Sequence, residues 1–348
     1  MVKISDPIPI GIDIGGTLKF SYKETKISIP NVIGASNPGW VGAITDKSWI
    51  NNLILIEDEN EYYIGNLARL QSEIKHYIME QGTLDKIDEV FRLIKAVLPL
   101  ISRKDNEDII LGIGVPISTN IENMKELSSK LKGEILIKIK NEATKEIIAI
   151  TKNIKKVLVM PESYGTYYEV FSKFEEKRAF DAIVISLDLL TEIMTIFNGK
   201  IMRRASRNLK NASLFVLANK ISLALQQKIN KIVSPQSLLS IIRNDNNKVA
   251  LSGKTYDISK IKEHYIKLIS QDIVNDLIEL ISFLPPDADI QYFIISGEAV
   301  PIFWNEIEML ILENQLIDDL DKIIITKNPL FSNAMGFELM ARKKIIGE

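Results

Sequence analysis

A short stretch near the N-terminus combines the residue types that phosphate binding needs. The stretch GIDIGGTLK, residues 11–19, has two adjacent glycines, with Asp13 before them and Lys19 after them. Glycine allows the backbone to take positive φ and to bring bare N–H groups close to an anion. A carboxylate beside such a loop can hold a hydrated Mg²⁺, and a lysine can neutralise phosphate oxygens. The stretch therefore predicts a phosphate site at the tip of a hairpin.

The residues around this stretch predict the strands that position it. Apolar residues alternate through residues 8–14, as in a buried strand, and residues 17–22 form the returning strand. Gly15 and Gly16 make the turn between them. Such motifs also occur in ordinary hairpins, where Asp13 would only cap the turn, so the motif alone leaves both interpretations open.

A second carboxylate, Glu162, follows another predicted strand. Residues 156–160 form this strand, which runs into Pro161, and a helix is predicted to continue to about residue 173. Ligands of α/β sheets are met at the carboxyl ends of the strands. A glutamate at this place can orient water for attack on a phosphoryl group. The alternative role of Glu162 is capping of the helix N-terminus.

The remaining pattern is that of an α/β protein. Residues 181–187 and 191–197 predict a second hairpin, so that the N-terminal arrangement of strand, tip and strand occurs twice. Apolar residues at helical spacing predict the helices. The predicted helices cover residues 65–80, 83–101, 211–228, 235–243, 257–283 and 331–344. Further strands are predicted at residues 26–30, 53–57, 62–64, 109–115, 134–139, 146–151, 291–295 and 323–326.

Composition limits the classes of function. A chain of 348 residues, 46% of them hydrophobic, is long enough for about two domains. Its net charge of −2 gives no overall basic surface for nucleic acid or an anionic membrane. The chain has no cysteine, which excludes disulfides and zinc–thiolate sites. No apolar run approaches the roughly 20 residues of a membrane-spanning helix, so we expect a cytoplasmic protein without a membrane segment.

Six stretches resemble, in this order, motifs of the actin-like ATPase superfamily, which includes actin, heat-shock chaperone ATPases and sugar kinases. They are most similar to the plasmid-segregation actins of the ParM type and their archaeal relatives. The stretches are GIDIGGTLK (11–19), YIGNLARLQS (63–72), GVP (114–116), VLVMPES with GTYYEV (157–170), IISGEA (294–299), and NP with NAMGF (328–337). They extend over nearly the whole chain, and the one around Glu162 is the most specific.

This resemblance implies an α/β fold of two domains, the ribonuclease H-like fold of actin, heat-shock chaperones and sugar kinases, with a nucleotide cleft between the domains. Domain I would cover residues 1–160, and the last helix, residues 330–348, would return to it. Domain II would cover residues 161–329.

The resemblance also implies a site for ATP or ADP with Mg²⁺. Asp13 would hold the Mg²⁺ through water, and Glu162 would position the hydrolytic water, so these two residues are the expected catalytic pair. The other residues implied to contact the nucleotide are Gly15, Gly16, Thr17, Lys19, Asp188, Thr191, Ser296 and Gly297.

The chain departs from the family pattern in its second half. The second phosphate loop of the family reads Asp-x-Gly-Gly-x-Thr, whereas residues 185–192 read ISLDLLTE and contain no glycine. Side chains in this loop would obstruct the approach of a phosphate to the backbone. Residues 207–211 also lack an expected glycine, and Glu298 replaces a glycine of the adenosine motif.

Three functions are compatible with these residues. The first is a ParM-like cytoskeletal protein that forms head-to-tail filaments with itself and uses ATP as a switch, for DNA segregation or intracellular scaffolding. An adaptor protein would link such a filament to DNA, which the chain itself would not bind. The second is a degenerate scaffold or adaptor that has lost the nucleotide switch. The third is a sugar kinase, since DIGGT also resembles sugar kinases.

The loop of residues 31–49 is the predicted longitudinal contact of the filament. It contains Trp40 and Trp49, and exposed aromatic residues are frequent in protein interfaces. The alternative is that both tryptophans pack the loop onto its own domain.

Overall fold

The computed structural model describes residues 6–37, 45–78, 84–175, 179–230, 233–251 and 253–346. The chain divides into two compact units. Unit 1 consists of Met1–Lys173 and Asn333–Glu348, and unit 2 consists of Phe174–Ser332.

The described residues form eighteen strands, nine helices and three single 3₁₀ turns. The strands are β1 Ile8–Ile14, β2 Thr17–Tyr22, β3 Thr25–Pro30, β4 Val32–Ala35, β5 Leu53–Glu57, β6 Asn60–Ile64, β7 Lys75–Tyr77, β8 Glu107–Val115, β9 Gly133–Asn141, β10 Ile147–Pro161, β11 Ala182–Ser186, β12 Thr191–Phe197, β13 Lys200–Ile201, β14 Arg207–Leu209, β15 Lys248–Leu251, β16 Lys254–Asp257, β17 Tyr292–Ser296 and β18 Ile323–Ile325. The helices are α1 Asn66–Gln71, α2 Ile87–Ile101, α3 Ile121–Leu131, α4 Ser163–Phe171, α5 Leu214–Ile229, α6 Pro235–Arg243, α7 Ser259–Ser282, α8 Val300–Glu313 and α9 Ser332–Ile346. Single 3₁₀ turns cover Trp49–Asn51, Arg203–Ala205 and Leu320–Lys322.

Unit 1 is built on one ten-stranded sheet in the order β3-β2-β1-β8-β10-β9-β5-β6-β4-β7. Strand β1 pairs antiparallel with β2 and parallel with β8. From its second residue onwards every residue of β1 is buried. The strand is therefore covered on both faces of the sheet, which explains why apolar residues predominate in it. The carboxyl end of β1 carries Asp13 to one edge of this sheet.

The C-terminal helix α9 packs closely on the backbone of unit 1. The Thr166 hydroxyl of α4 donates a hydrogen bond to Asn333 Oδ1 at 2.6 Å. Three residues on, a Cβ built on Gly336 would lie 1.7 Å from the carbonyl oxygen of Gly165. These contacts join α4 to α9 in unit 1, so the division between the units follows Lys173 and not residue 160.

We expect Gly336→Ala to lower the free energy of unfolding by at least about 2–3 kcal/mol, because the new methyl group would overlap backbone atoms that cannot rotate away. Helix propensity alone would favour alanine by about 1 kcal/mol, so a net loss isolates the steric conflict. Urea denaturation measures the difference. The matched control is Gly15→Ala, whose Cβ would meet no protein atom closer than 3.4 Å; equal stability of the two variants would contradict the prediction.

Unit 2 repeats the strand pattern of unit 1. Its main sheet has the order β13-β12-β11-β17-β18, with β14 also paired to β12. Strand β11 pairs antiparallel with β12 and parallel with β17, as β1 does with β2 and β8. Apolar residues of this sheet and of α5 to α8 form one large core, which includes Ile183, Ile295 and Phe303. The hairpin repeat that the sequence predicts is therefore present in the fold.

Several predicted elements differ from the observed ones. The helix predicted at residues 65–80 ends at Gln71, and residues 75–77 instead form β7, which pairs with β4. The Ser72 hydroxyl lies 2.8 Å from the carbonyl oxygen of Ala35 and 2.7 Å from that of Ile74, and shares its one hydrogen between them where the chain turns into the sheet.

Two further differences concern the middle of unit 1. The strands predicted at residues 146–151 and 156–160 are one continuous strand, β10, with a register shift between Ile154 and Lys156. Helix α3 was not predicted. It begins after Asn120, whose side chain accepts a hydrogen bond from the Asn123 N–H, and Asn120 is thus a regular N-cap.

The described part of the predicted contact loop packs on unit 1. The Arg103 guanidinium lies 5.7 Å from the ring centre of Trp49, and Trp49 is half-buried. This cation–π contact favours packing of Trp49 onto its own unit. Trp40 lies outside the described residues, so the proposed filament contact of this loop stays a prediction.

Candidate functional site

The residues that flank the first glycine loop form a buried ion pair. Asp13 is the sixth residue of β1, and Lys19 is directly opposite it on β2. The Lys19 Nζ lies 3.2 Å from Asp13 Oδ2, and the two side chains are 0% and 1% exposed. The strand register thus places opposite charges beside the loop. Asp13 forms an ion pair with Lys19, so it does more than cap the turn.

Glu162 lies beside the same loop. A Cβ built on Gly15 would be 3.4 Å from Glu162 Oε2 and 4.0 Å from Asp13 Oδ1, so both carboxylates face the tip of the hairpin. The Glu162 N–H donates to the carbonyl oxygen of Val115 at 2.7 Å, which fixes Glu162 at the end of β8. Its side chain makes no capping hydrogen bond to α4. Glu162 thus occupies the N-cap position of α4 without a capping hydrogen bond from its side chain, and its carboxylate lies close to the loop.

The loop itself differs from the prediction in one respect. The described glycines with positive φ are Gly65, Gly133, Gly199, Gly253 and Gly297, and neither glycine of the tip is among them. The absence of a side chain at Gly15 instead keeps space open beside the two carboxylates. Thr17, at the start of β2, adds a hydroxyl that is buried and has no hydrogen-bond partner in the described chain. The residues therefore fit a ligand with phosphate oxygens and a hydrated cation.

Asn31 also positions this loop, and the sequence analysis did not identify it. Its Nδ2 donates a hydrogen bond to the carbonyl oxygen of Gly15 at 2.8 Å, and Asn31 is 4% exposed. Its backbone carbonyl accepts from the N–H of Ile78, just after β7. Asn31 thus connects the loop tip to the β4–β7 part of the sheet. No motif indicated it, because the contact joins residues that are sixteen apart in sequence.

The second loop, in unit 2, is closed by apolar side chains. Leu187 is fully buried in the core of unit 2, and Leu189 packs against that core. Asp188 follows β11, and its Oδ1 accepts a hydrogen bond from the Leu189 N–H at 2.9 Å. Thr191 is the first residue of β12, and its hydroxyl is buried without a hydrogen-bond partner in the described chain. Leu187 therefore points into the protein and Leu189 packs partly against the same core, which the residue types alone do not indicate.

The adenosine motif of the resemblance lies directly against this second loop. Ser296 ends β17, and its carbonyl oxygen accepts from the Leu187 N–H at 2.7 Å. Gly297 has a φ of +104°, and a Cβ there would lie 2.1 Å from the carbonyl oxygen of Leu187, so only glycine fits. The carboxylate of Glu298 forms an ion pair with Arg243 at 2.5 Å. The charge that Glu298 introduces is thus met by a cation from α6.

Two features are absent from the described residues. In that part of the chain, no three or more residues of the types His, Cys, Asp and Glu come together as a metal-binding group. No helix there is long and apolar enough to cross a membrane.

Comparison with known proteins identifies the fold. Residues 11–165 match the family model described as the actin-like protein N-terminal domain. The chain also superimposes on the ParM of a 15-stranded filament from Clostridium botulinum with a TM-score of 0.75 and 17% identity, covering 97% of this chain and 100% of that one. This chain has the actin-like fold. The predicted fold class is thereby confirmed, and the family model matches the N-terminal part of the chain that carries the first motifs of the resemblance.

Other structures similar to this actin-like chain contain nucleotides. The archaeal actin homolog Ta0583 in complex with ADP has a TM-score of 0.73 and 17% identity, and covers 97% of this chain and 99% of its own. Bacillus thuringiensis ParM with AMPPNP has a TM-score of 0.67 and 15% identity, with 98% and 99% coverage. No curated protein matches the sequence.

Proposed function

We propose that this actin-like protein is a ParM-like filament protein that binds and hydrolyses ATP with Mg²⁺. The observation that carries the proposal is the convergence of the Asp13 and Glu162 carboxylates on Gly15 within unit 1, with Lys19 paired to Asp13. Phosphoryl transfer to water needs a group that accepts a proton, a positive charge near the phosphate and open space at the backbone. Glu162, Lys19 and Gly15 can supply these three. Similar proteins of this fold were solved with ADP and with AMPPNP. Another similar protein was solved as a filament.

Each residue of unit 1 then has a separate role. Gly15, Gly16 and Thr17 receive the phosphates, Thr17 through its buried hydroxyl. Lys19 balances the negative charge of Asp13 and of the phosphates. Asp13 holds water molecules of the cation, and a bound Mg²⁺ supplies further neutralisation at the phosphate oxygens. Glu162 orients the attacking water and accepts its proton.

In unit 2, Ser296 and Gly297 are assigned to the adenosine side, and Asp188 and Thr191 to the phosphates. The support is the set of backbone hydrogen bonds between the two segments and the buried, unpartnered hydroxyl of Thr191. Self-association would serve DNA segregation through an adaptor protein, or intracellular scaffolding.

A second candidate is a scaffold that assembles without a nucleotide switch. The specific observation in its favour is the second loop, where Leu187 and Leu189 occupy a segment that has glycines in the family pattern. High-speed pelleting with Mg-ATP, with Mg-ADP and without nucleotide separates the two candidates. Pelleting that requires ATP supports the switch, and pelleting in all three conditions supports the scaffold. No pelleting in any condition would contradict both.

We expect Gly15→Ala to weaken ATP binding by about tenfold or more without a loss of stability, since a methyl group there fills ligand space and not protein space. The added Cβ would stay at least 3.4 Å from protein atoms, and Gly15 does not have a positive φ. Titration with a fluorescent ATP analogue measures the affinity, and thermal unfolding without nucleotide measures the stability. Unchanged affinity would argue against the phosphate site.

A further inference from the structure

Unit 2 separates its charges along the sequence. Residues 193–244 contain nine Lys or Arg and no Asp or Glu, whereas residues 268–321 contain twelve Asp or Glu and no Lys or Arg. The net charge of the whole chain, −2, hides this division because the two segments nearly cancel. Opposite charges on one molecule can form ion pairs within that molecule or with a second copy. The ion pairs seen within unit 2 show which charges are already used.

A minority of these charges pair within unit 2. Arg207 of β14 forms ion pairs with Asp276 and Glu279 of α7, and Arg243 pairs with Glu298. The other described cations of the basic segment are exposed, and none forms an ion pair with a described residue. These cations are Lys200, Arg203, Arg204, Lys210, Lys220 and Lys228. Most of the described positive charge of the basic segment is therefore available to a partner.

The acidic segment borders a groove of about 310 Å³, most of whose lining residues are apolar and whose rim includes Asp318 and Lys322. We call it the acidic groove; its lining includes Ile281, Leu284, Ile290, Phe293, Leu316 and Lys322. The hydrogen bond with Asp318 raises the pKa of Lys322, burial opposes the shift, and the negative charges of Asp289 and Asp319 add to it. Asp318 lines the groove with Lys322 and pairs with it at 2.8 Å, and Ala288 and Ile290 of the lining are the chain neighbours of Asp289. The groove suits an apolar side chain that is flanked by cations.

Helix α5 presents such a surface. Lys220, Leu223 and Gln227 follow one another at helical spacing on its outer face, with Lys228 next to them. All four are exposed, and Leu223 is 55% exposed, so its side chain is accessible between the charged residues. We call this face the basic stripe.

We propose that the basic stripe of one copy docks in the acidic groove of a second copy, with Leu223 in the groove and Lys220 and Lys228 against Asp289 and Asp319. The partner is a second copy because unit 2 itself carries both complementary surfaces, largely unpaired within the fold. Since the two surfaces differ, each docking leaves a groove and a stripe open, and the contact extends into a chain of subunits. This inference rests on the proposed self-association and names its surfaces.

A charge exchange between the two surfaces tests the contact. One variant carries Lys220→Glu and Lys228→Glu, and the other carries Asp289→Lys and Asp319→Lys. Each alone sets like charges against each other, so we expect its critical concentration for pelleting to rise about tenfold or more. An equal mixture of the two should co-assemble at nearly the wild-type concentration, because every stripe then finds a groove of opposite charge.

The control is Lys125→Glu with Lys132→Glu, the same change of charge on exposed residues of unit 1. We expect it to assemble as wild type, and we expect all variants to bind nucleotide as wild type. Assembly of either charge variant alone, or failure of the mixture, would overturn the inference while leaving the proposed function in place. If the wild type does not pellet at any salt or nucleotide condition, the proposed function fails as well.

Discussion

Replacement of Asp13 by alanine is expected to lower the free energy of unfolding by about 3–5 kcal/mol, because it removes one partner of a buried ion pair. Lys19 is fully buried, and its Nζ lies 3.2 Å from the lost carboxylate. A buried ammonium without this carboxylate is poorly solvated. The effect therefore concerns the folding of unit 1 and appears in the absence of any ligand.

Tryptophan fluorescence can report on unit 1 alone. The chain has three tryptophans, and Trp304 is the one in unit 2, so a Trp304→Phe background leaves Trp40 and Trp49 as probes of unit 1. Urea denaturation in this background gives the stability difference for Asp13→Ala. The same measurement on Lys19→Met and on the double variant completes a double-mutant cycle. Additive losses would contradict the ion pair as the cause.

Replacement of Glu162 by glutamine is expected to slow ATP hydrolysis by about 10²–10³-fold while ATP affinity changes little. The amide has nearly the shape of the carboxylate but cannot accept a proton from water. Glu162 is 4% exposed and its carboxylate faces the loop at Gly15, where the proposed function places the phosphates. Phosphate release under single-turnover conditions measures hydrolysis, and a fluorescent ATP analogue measures affinity.

The matched control for Glu162 is Glu169→Gln, on the same helix. Glu169 is also buried, but its carboxylate pairs with Lys173 at 2.6 Å and lies two turns away along α4. We expect this variant to hydrolyse ATP at the wild-type rate. A Glu162→Gln variant that hydrolyses ATP as fast as Glu169→Gln would remove Glu162 from the catalytic role.

The first glycine hairpin could be predicted from the sequence almost to the residue. The predicted strands at residues 8–14 and 17–22 are the observed β1 and β2. Their signal is local, since apolar alternation and two adjacent glycines specify both strands and the turn. Helix α6 was also predicted with its observed ends, because Pro235 begins it and its apolar residues keep helical spacing.

Elements that depend on distant partners were not predictable in this way. Strand β7 forms because β4 offers it an open edge, and a helical pattern across residues 65–80 gives no sign of that edge. Strand β10 continues through residues 152–155 because β8 and β9 pair along it, with a register shift where the pattern breaks. Neighbouring strands decided both cases.

The sequence by itself determined which chemistry the first loop can offer, because the residue types between Asp13 and Lys19 are adjacent in the chain. Only the tertiary structure decided that Lys19 pairs with Asp13, that Glu162 faces Gly15, and that Asn31 holds the loop tip. It also directed Leu187 and Leu189 into the core of unit 2. These facts depend on strand register and on contacts between residues far apart in sequence, which local patterns do not encode.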